Sequence, residues 1–197
     1  MGRTSDAKER LIQSGMELLH AGGYARAGVQ VICERAGVRK GSFYHFFASK
    51  SALGLAVLER LHNESNRLLD EALAPDLPPE GRIARLFDRA AAIQENFRAE
   101  TGTVKGCPFG NLALEMSNED ETFRLYLTRV LREMINRLEE AIAPLTLHEE
   151  AKAMAEAIFS LLEGAILLAK AENDPEVIRR MGEMAARILV AAPAPTP

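Results

Sequence analysis

The run from Gly28 to Lys50, GVQVICERAGVRKGSFYHFFASK, leaves its chain few conformations. Ala36-Gly37-Val38 interrupts it, and glycine is the residue that most readily takes the left-handed geometry closing a helix. Room remains for two short helices, about 29–36 and about 40–46. Val29, Ile32, Val38, Phe43 and Phe46 give both an apolar side and are expected to form a small core. The opposite side of the second helix interleaves donors with aromatics: Arg39, Lys40, Ser42, Tyr44 and His45, with Lys50 just beyond.

The remainder also reads as helix, with no strand pattern and no internal repeat. Thr4-Ser5-Asp6 offers caps for a first helix carrying Leu11, Ile12, Met16, Leu18 and Leu19, and Ala21-Gly22-Gly23 closes it. Ser49 is placed to cap a long fourth helix bearing Leu53, Val57, Leu58 and Leu61. Pro75, Pro78 and Pro79 break the chain before a stripe of Ile83, Leu86, Phe87, Ala90 and Ile93. Pro108 suits the first position of a short helix to about Met116, since its missing N–H would lack a partner there anyway. Ser117-Asn118 is expected to cap the next helix, and two more follow at about 148–171 and 175–190. The fold class is therefore all-α: an N-terminal three-helix helix-turn-helix domain over 1–50, an all-helical body over 51–191, and a disordered tail at 192–197. About nine helices are expected.

The chain has 197 residues and a net charge of −4, unevenly spread. Residues 1–50 hold eight Lys and Arg against four acids, a net of +4, and the rest carries −8. A basic head on an acidic body suits contact with phosphate through the head alone. Two helices with a glycine turn, the second presenting bases and hydroxyls, is how a helix is offered to the major groove of double-stranded DNA. Lys40 and the N-terminal N–H groups of that helix suit a phosphate or a guanine edge. Gly41 lies beside them. Ser42 and Tyr44 bring hydroxyls, the Tyr44 ring suits a thymine methyl, and His45 can reach a base or phosphate. Lys50, with Arg3 and Thr4 at the first helix, would anchor the backbone without reading sequence.

Several classes are set aside. Cys33 and Cys107 have neither disulfide-scaffold nor metal-ligand spacing, and His20, His45, His62 and His148 are scattered, so no metal or cofactor is expected. No Ser/His/Asp order, apolar carboxylate pair or phosphate loop suggests an enzyme. No apolar run reaches the ~18 residues that span a bilayer, and no signal peptide is visible, which points to the cytoplasm without membrane contact.

Gly23-Tyr24, Val29, Ile32, Ala36-Gly37-Val38, Lys40-Gly41-Ser42, Tyr44-His45-Phe46 and Ser49-Lys50 together resemble the TetR family of transcriptional repressors. The resemblance implies an N-terminal DNA-binding unit and an all-helical regulatory domain. The family often has Thr or Ser at the start of the second helix, where Ala27-Gly28 stands here; Gly28 can still cap, and Gln30 can replace the missing phosphate contact. Cys33 falls on the core face and reads as a buried small hydrophobe.

Residues 105–117, KGCPFGNLALEMS, resemble a Gly-Cys-x-x-Gly-Asn-x-Ala-x-Glu motif of a TetR-like subgroup, some members of which respond to electrophiles or oxidants through this cysteine. Cys107 precedes Pro108 at a helix start, where N–H groups favour a thiolate, and Lys105 is two residues away. Two readings stay open: a reactive sensor, or a structural cysteine packing a tight turn. Asn111 can bond a ligand or its own helix, and Phe97, Phe109, Tyr126 and Phe159 would line any pocket. Lys170 is placed at a pocket mouth or as a surface lysine. The last two helices are apolar on more than one face, through Ile158, Leu162, Ala165, Ile166, Met181, Met184 and Ile188, which points to a homodimer interface. The resulting expectation is a one-component repressor bound to a near-palindromic operator and released by a small apolar or electrophilic inducer. Alternatives are covalent redox sensing through Cys107 and a helical protein-interaction module without DNA binding.

Overall fold

The computed structural model describes residues 2–20, 24, 27–145 and 148–191, with the side chains of residues 6–19, 24, 27–145 and 150–190. Among the described residues there are nine α-helices and no strand. They are α1 (Gly2–His20), α2 (Val29–Ala36), α3 (Lys40–Phe46), α4 (Lys50–Ala72), α5 (Pro79–Thr101), α6 (Pro108–Met116), α7 (Glu121–Ile142), α8 (His148–Glu172) and α9 (Glu176–Ala191). A single 3-10 turn, Ala143–Leu145, follows α7. The expected cap at Ala21-Gly22-Gly23 and the 192–197 tail lie outside the described residues.

Local chemistry sets most boundaries. α6 starts at Pro108, and Ser49 Oγ accepts the Ala52 N–H at 3.1 Å to cap α4. Two expected caps are displaced. α1 already begins at Gly2, so Thr4-Ser5-Asp6 lies within it. The cap of α7 is Asp120 rather than Ser117-Asn118: its Oδ1 accepts from Thr122 N at 2.9 Å and Phe123 N at 3.3 Å. Ser117 instead prolongs α6, its N–H donating to Ala113 O at 3.2 Å.

The chain divides into two compact units, Met1–Glu64 with Pro108–Leu127, and Ser65–Cys107 with Thr128–Pro197. The cut expected after residue 50 follows the DNA-binding motif; the first compact unit runs on to Glu64 and takes in α6 and the start of α7. In this unit α1 packs on α2 and α3. Arg10 Nε donates to Ala36 O at 3.0 Å, so α1 satisfies a carbonyl at the end of α2, and Ser14 Oγ adds a second tie to Ile32 O at 3.2 Å. Gly37 closes α2 in the left-handed region, at φ 61°, where a side chain would be strained. Leu11, Ile32, Phe43, Leu53, Val57 and Leu58 are fully buried. Phe47, not Phe46, completes this core: its extended backbone turns the ring towards Phe43, 5.8 Å between centroids, while Phe46 stays half-buried beside His45.

A second cluster in the same unit surrounds the start of α4. Tyr24 is buried, donates its hydroxyl to Lys50 O at 2.6 Å, and lies 6.4 Å from the Phe123 ring. Gly54 admits both rings: a Cβ there would stand 2.4 Å from Tyr24 Oη and 2.5 Å from Phe123 Cζ. Ser51 Oγ donates to Asp120 Oδ2 at 3.2 Å.

In the second unit α5 lies along α9, and α8 packs on α9. Phe87 fills the space over Gly182, where a Cβ would come within 2.5 Å of Phe87 Cβ. Arg179 clamps Glu95 with two bonds, at 2.6 and 2.8 Å, and also reaches Glu176 at 3.0 Å. The pairing holds the Glu95 carboxyl below its ordinary range. Arg85 locks the α4–α5 turn through the carbonyls of Ala72 and Ala74 and both oxygens of Asp76.

Candidate nucleic-acid interface

α3 is short, and its two sides differ sharply. Phe43 is fully buried, whereas Lys40, Gly41, Ser42, Tyr44 and His45 are all exposed, Tyr44 by 53%. Arg39 precedes the helix in extended conformation and its carbonyl accepts the first helical bonds, from Ser42 N at 2.9 Å and Phe43 N at 3.2 Å. Beyond its own helix, Gly41 has nothing among the described residues within 4 Å of the position a Cβ would take. A glycine in a helix is unfavourable by about 1 kcal/mol relative to alanine, and no internal packing calls for it here. Gly28 caps α2 in extended conformation without a side-chain bond, and Gln30 is exposed and bonded to Glu34 at 2.7 Å. Arg3 and Thr4 lie in the first turn of α1; their side chains fall outside the described ones.

Ion pairing sorts the cations. Arg35 pairs with Glu17 at 2.9 Å, and Arg10 and Arg60 pair with Asp6 and Glu9. Among the described residues Arg39 and Lys40 make no ion pair, so their charge is directed outward. Lys50 is half-buried, with Nζ 4.9 Å from the centroid of the Tyr24 ring. Its pKa is lowered by desolvation, against which the Glu115 carboxylate acts. Cys33 is buried, and burial pushes its thiol up, as suits a core residue.

The segment around Cys107 is held by residues that sequence reasoning did not single out. Gln94, 5% exposed on α5, accepts the N–H groups of Lys105 and Gly106 through Oε1, both at 3.0 Å, and donates to Gly106 O at 3.3 Å. Asn173 accepts Val104 N at 2.9 Å and donates to Gly102 O at 3.1 Å, itself in the left-handed region at φ 53°. Cys107 is half-buried and donates its thiol proton to Glu163, whose carboxyl is raised by burial. Lys105, expected beside the thiol, donates Nζ to Thr103 Oγ1 at 2.8 Å. A glutamine within an apolar stripe was the one signal that marked Gln94.

The remaining expected residues are divided. Phe97 and Phe159 fall in the second unit with Cys107; Phe109, Asn111 and Tyr126 fall in the first. Phe109 is core, 2% exposed. Lys170 is exposed near the end of α8. Of the residues expected at an interface, Ile158, Leu162, Ala165 and Ile166 are buried within the protomer. Met184 and Ile188 are exposed and Met181 half-exposed, joined by Leu167, Leu168 and Val190. Ala153, Ala157, Ser160, Gly164, Leu167 and Ala171 recur every three or four residues along the uncovered side of α8. Among the described residues no group of His, Cys, Asp or Glu could hold a metal ion, and no helix is long and apolar enough to cross a membrane.

Comparison with known proteins places these features. Residues 11–57 match the model described as bacterial regulatory proteins, tetR family, and residues 82–184 match the LmrA/YxaF-like transcriptional regulator C-terminal domain. The transcriptional regulator AcuR of Cereibacter sphaeroides is 40% identical over 86% of this chain and 79% of its own. The HTH-type transcriptional repressor NemR of Escherichia coli K12 is 32% identical over 84% of each chain. The crystal structure of E. coli NemR in its reduced form aligns at a TM-score of 0.78, with 28% identity over 96% of this chain and 100% of that one. A regulatory protein TetR from Rhodobacter sphaeroides aligns at 0.80, with 35% identity over 92% and 97%.

Proposed function

Because this chain belongs to the TetR family and is a DNA-binding transcriptional regulator rather than an enzyme, we propose that it is a homodimeric repressor of the bacterial cytoplasm that inserts α3 into the major groove of a near-palindromic operator. The observation that carries this is the division of α3, with Phe43 inward and Lys40, Gly41, Ser42, Tyr44 and His45 outward. The bare glycine lets the helix approach the duplex closely, Lys40 and Arg39 meet phosphate or guanine, and Tyr44 supplies a ring and hydroxyl for base edges. Arg3, Thr4, Gln30 and Lys50 add backbone contacts that fix register.

The uncovered sides of α8 and α9 supply the dimer seam. Small residues along α8 let a partner helix come close, and Leu167, Met181, Met184 and Ile188 provide apolar area. Two copies related by a twofold axis would set their α3 helices about 34–36 Å apart, one turn of DNA. The test is fluorescence anisotropy on duplex DNA from upstream of its own gene. The Lys40→Ala, Tyr44→Ala double variant should lose binding yet stay dimeric; retained binding would refute the assignment of α3.

Release requires an inducer that binds the freed form better than the DNA-bound form. A small apolar or electrophilic compound is proposed, with Phe97 and Phe159, in the unit that holds Cys107, as candidate lining. A covalent reading, in which Cys107 itself reacts, is favoured by its partial exposure and by the relative whose solved structure is described as a reduced form. Cys107→Ser decides between the two: a serine variant that still releases DNA on treatment with a quinone or hypochlorite excludes the thiol.

A further inference from the structure

Three acids stand on α1, and an arginine takes each of them. Asp6 pairs with Arg10 on the same helix, Glu9 with Arg60 of α4, and Glu17 with Arg35 of α2 at 2.9 Å. Lys8 lies among them, exposed, and among the described residues it makes no ion pair. The positions one helical turn away, Thr4, Ser5, Leu11 and Ile12, hold no acid to engage it. Its Nζ stands instead over the ring of Phe47, 5.9 Å from the centroid. An aromatic face attracts a cation without cancelling its charge. Phe47 is buried, follows α3 directly in extended conformation, and comes two residues before the Ser49 cap of α4. α1 also packs on α3. The Lys8 ammonium is therefore held at the C-terminal end of α3, while Arg39 and Lys40 stand at its start.

We propose that Lys8 is a phosphate contact, anchoring the DNA strand across the groove from the one that Arg39 and Lys40 meet. The inference rests on the reading of α3 as the element that enters the major groove. A helix of 7 residues is about 10 Å long, and the major groove is about 12 Å wide. A cation at each end of such a helix reaches one of the two backbones bordering it, so α3 is held from both sides rather than hinged on one. Contacts of this kind fix register and read no sequence. The Phe47 ring prepares Lys8 for the role, because it keeps the ammonium at the end of α3 before DNA arrives. Arg10, Arg35 and Arg60 would first have to leave a carboxylate. Each Lys8 that neutralises a phosphate adds about 0.9 to the slope of log K against log salt, or about 1.8 for two copies on one operator. Over a fourfold rise in salt this amounts to about twelvefold in affinity.

The experiment measures anisotropy of a labelled duplex from upstream of the gene as potassium chloride is varied, using the full chain. Lys8→Gln should bind more weakly, with a slope shallower by about 1.8, so that a fourfold rise in salt costs it about twelvefold less affinity than it costs the parent. Lys8→Met, which keeps the stem over the ring and drops the charge, should repeat that slope. Lys8→Arg, which keeps the charge, should retain the parent's. Arg67→Gln removes an equal charge from an exposed position of α4 in the second unit and should leave the slope unaltered. A parental slope in Lys8→Gln or Lys8→Met refutes the contact, and the assignment of α3 then stands or falls separately with the Lys40→Ala, Tyr44→Ala variant. If that double variant still binds, α3 is not the inserted element and the inference falls with it. An equal loss of slope in Arg67→Gln also overturns it, because the effect then belongs to net charge. Circular dichroism melting should give all single variants the parent's midpoint, and a Lys8→Gln that melts early leaves Lys8→Met and Lys8→Arg to decide.

Discussion

Replacing Gly54 by alanine sets two effects of opposite sign against each other. In a helix interior the change gains about 1 kcal/mol of propensity. The added methyl, however, would stand 2.4 Å from Tyr24 Oη and 2.5 Å from Phe123 Cζ. Both side chains are among the fully buried ones, so neither ring has free space to enter. Overpacking of this kind costs about 1–3 kcal/mol. Displacing Tyr24 also endangers its hydrogen bond to Lys50 O, worth about 1 kcal/mol net. The balance is a loss of about 1–3 kcal/mol, or about 2–12 °C in melting midpoint for a chain of this size. Urea and thermal unfolding followed by far-UV circular dichroism would measure it, at one fixed protein concentration because association adds stability by mass action. Gly41→Ala is the matched control: beyond its own helix nothing lies within 4 Å of its new methyl, so it should be no less stable than the parent. A Gly54→Ala protein as stable as the parent would show that the Tyr24–Phe123 contact is looser than described and refute the packing argument.

Three other outcomes are expected. A Cβ at Gly164 would meet nothing of its protomer beyond its own helix within 4 Å, so for Gly164→Leu the helical spectrum should persist while sedimentation shifts to a monomer; an intact dimer would move the seam elsewhere. Gln94→Leu strips the buried N–H groups of Lys105 and Gly106 of their acceptor, with a loss of about 1–3 kcal/mol per unsatisfied group and faster amide hydrogen exchange at both; unchanged exchange would contradict the clamp. Arg179 holds the Glu95 carboxyl below its ordinary value of 4.5, so this contribution to stability is whole above about pH 4.5 and is lost as pH falls through the lower, folded value. Arg179→Met should therefore flatten the decline of urea midpoints between about pH 5 and pH 3, and an unaltered acid limb would assign it to other carboxylates.

What could be read from the sequence was whatever depends on neighbours along the chain. Ser49 as a cap, Pro108 as a helix start, the glycine turn at 37 and the outward set on α3 all follow from local chemistry, and the structure has each of them. The misreadings arise where a distant residue decides. Phe46 and Phe47 are equally apolar, and only the extended backbone after α3 selects Phe47. Ser117, Asn118 and Asp120 are all good caps, and Asp120 also accepts a bond from Ser51 on another helix. α8 is apolar nearly all round, so composition does not tell which side faces its own protomer, where Ile158, Leu162, Ala165 and Ile166 are buried. Gln94, Asn173 and Glu163 went unremarked because their partners are 11 to 71 positions away.

The pairing of Arg10, Arg35 and Arg60 with acids of α1 has a consequence for how the protein searches for its target. Half a dozen scattered positive charges would make a sticky, long-lived hold on any stretch of chromosome. Here three of those charges are paired internally, and Arg39 and Lys40 keep theirs directed outward. Such a molecule should skim genomic DNA lightly, and its residence at one locus must come from fit within the groove and the doubling of contacts by a second copy, more than from bulk Coulomb attraction.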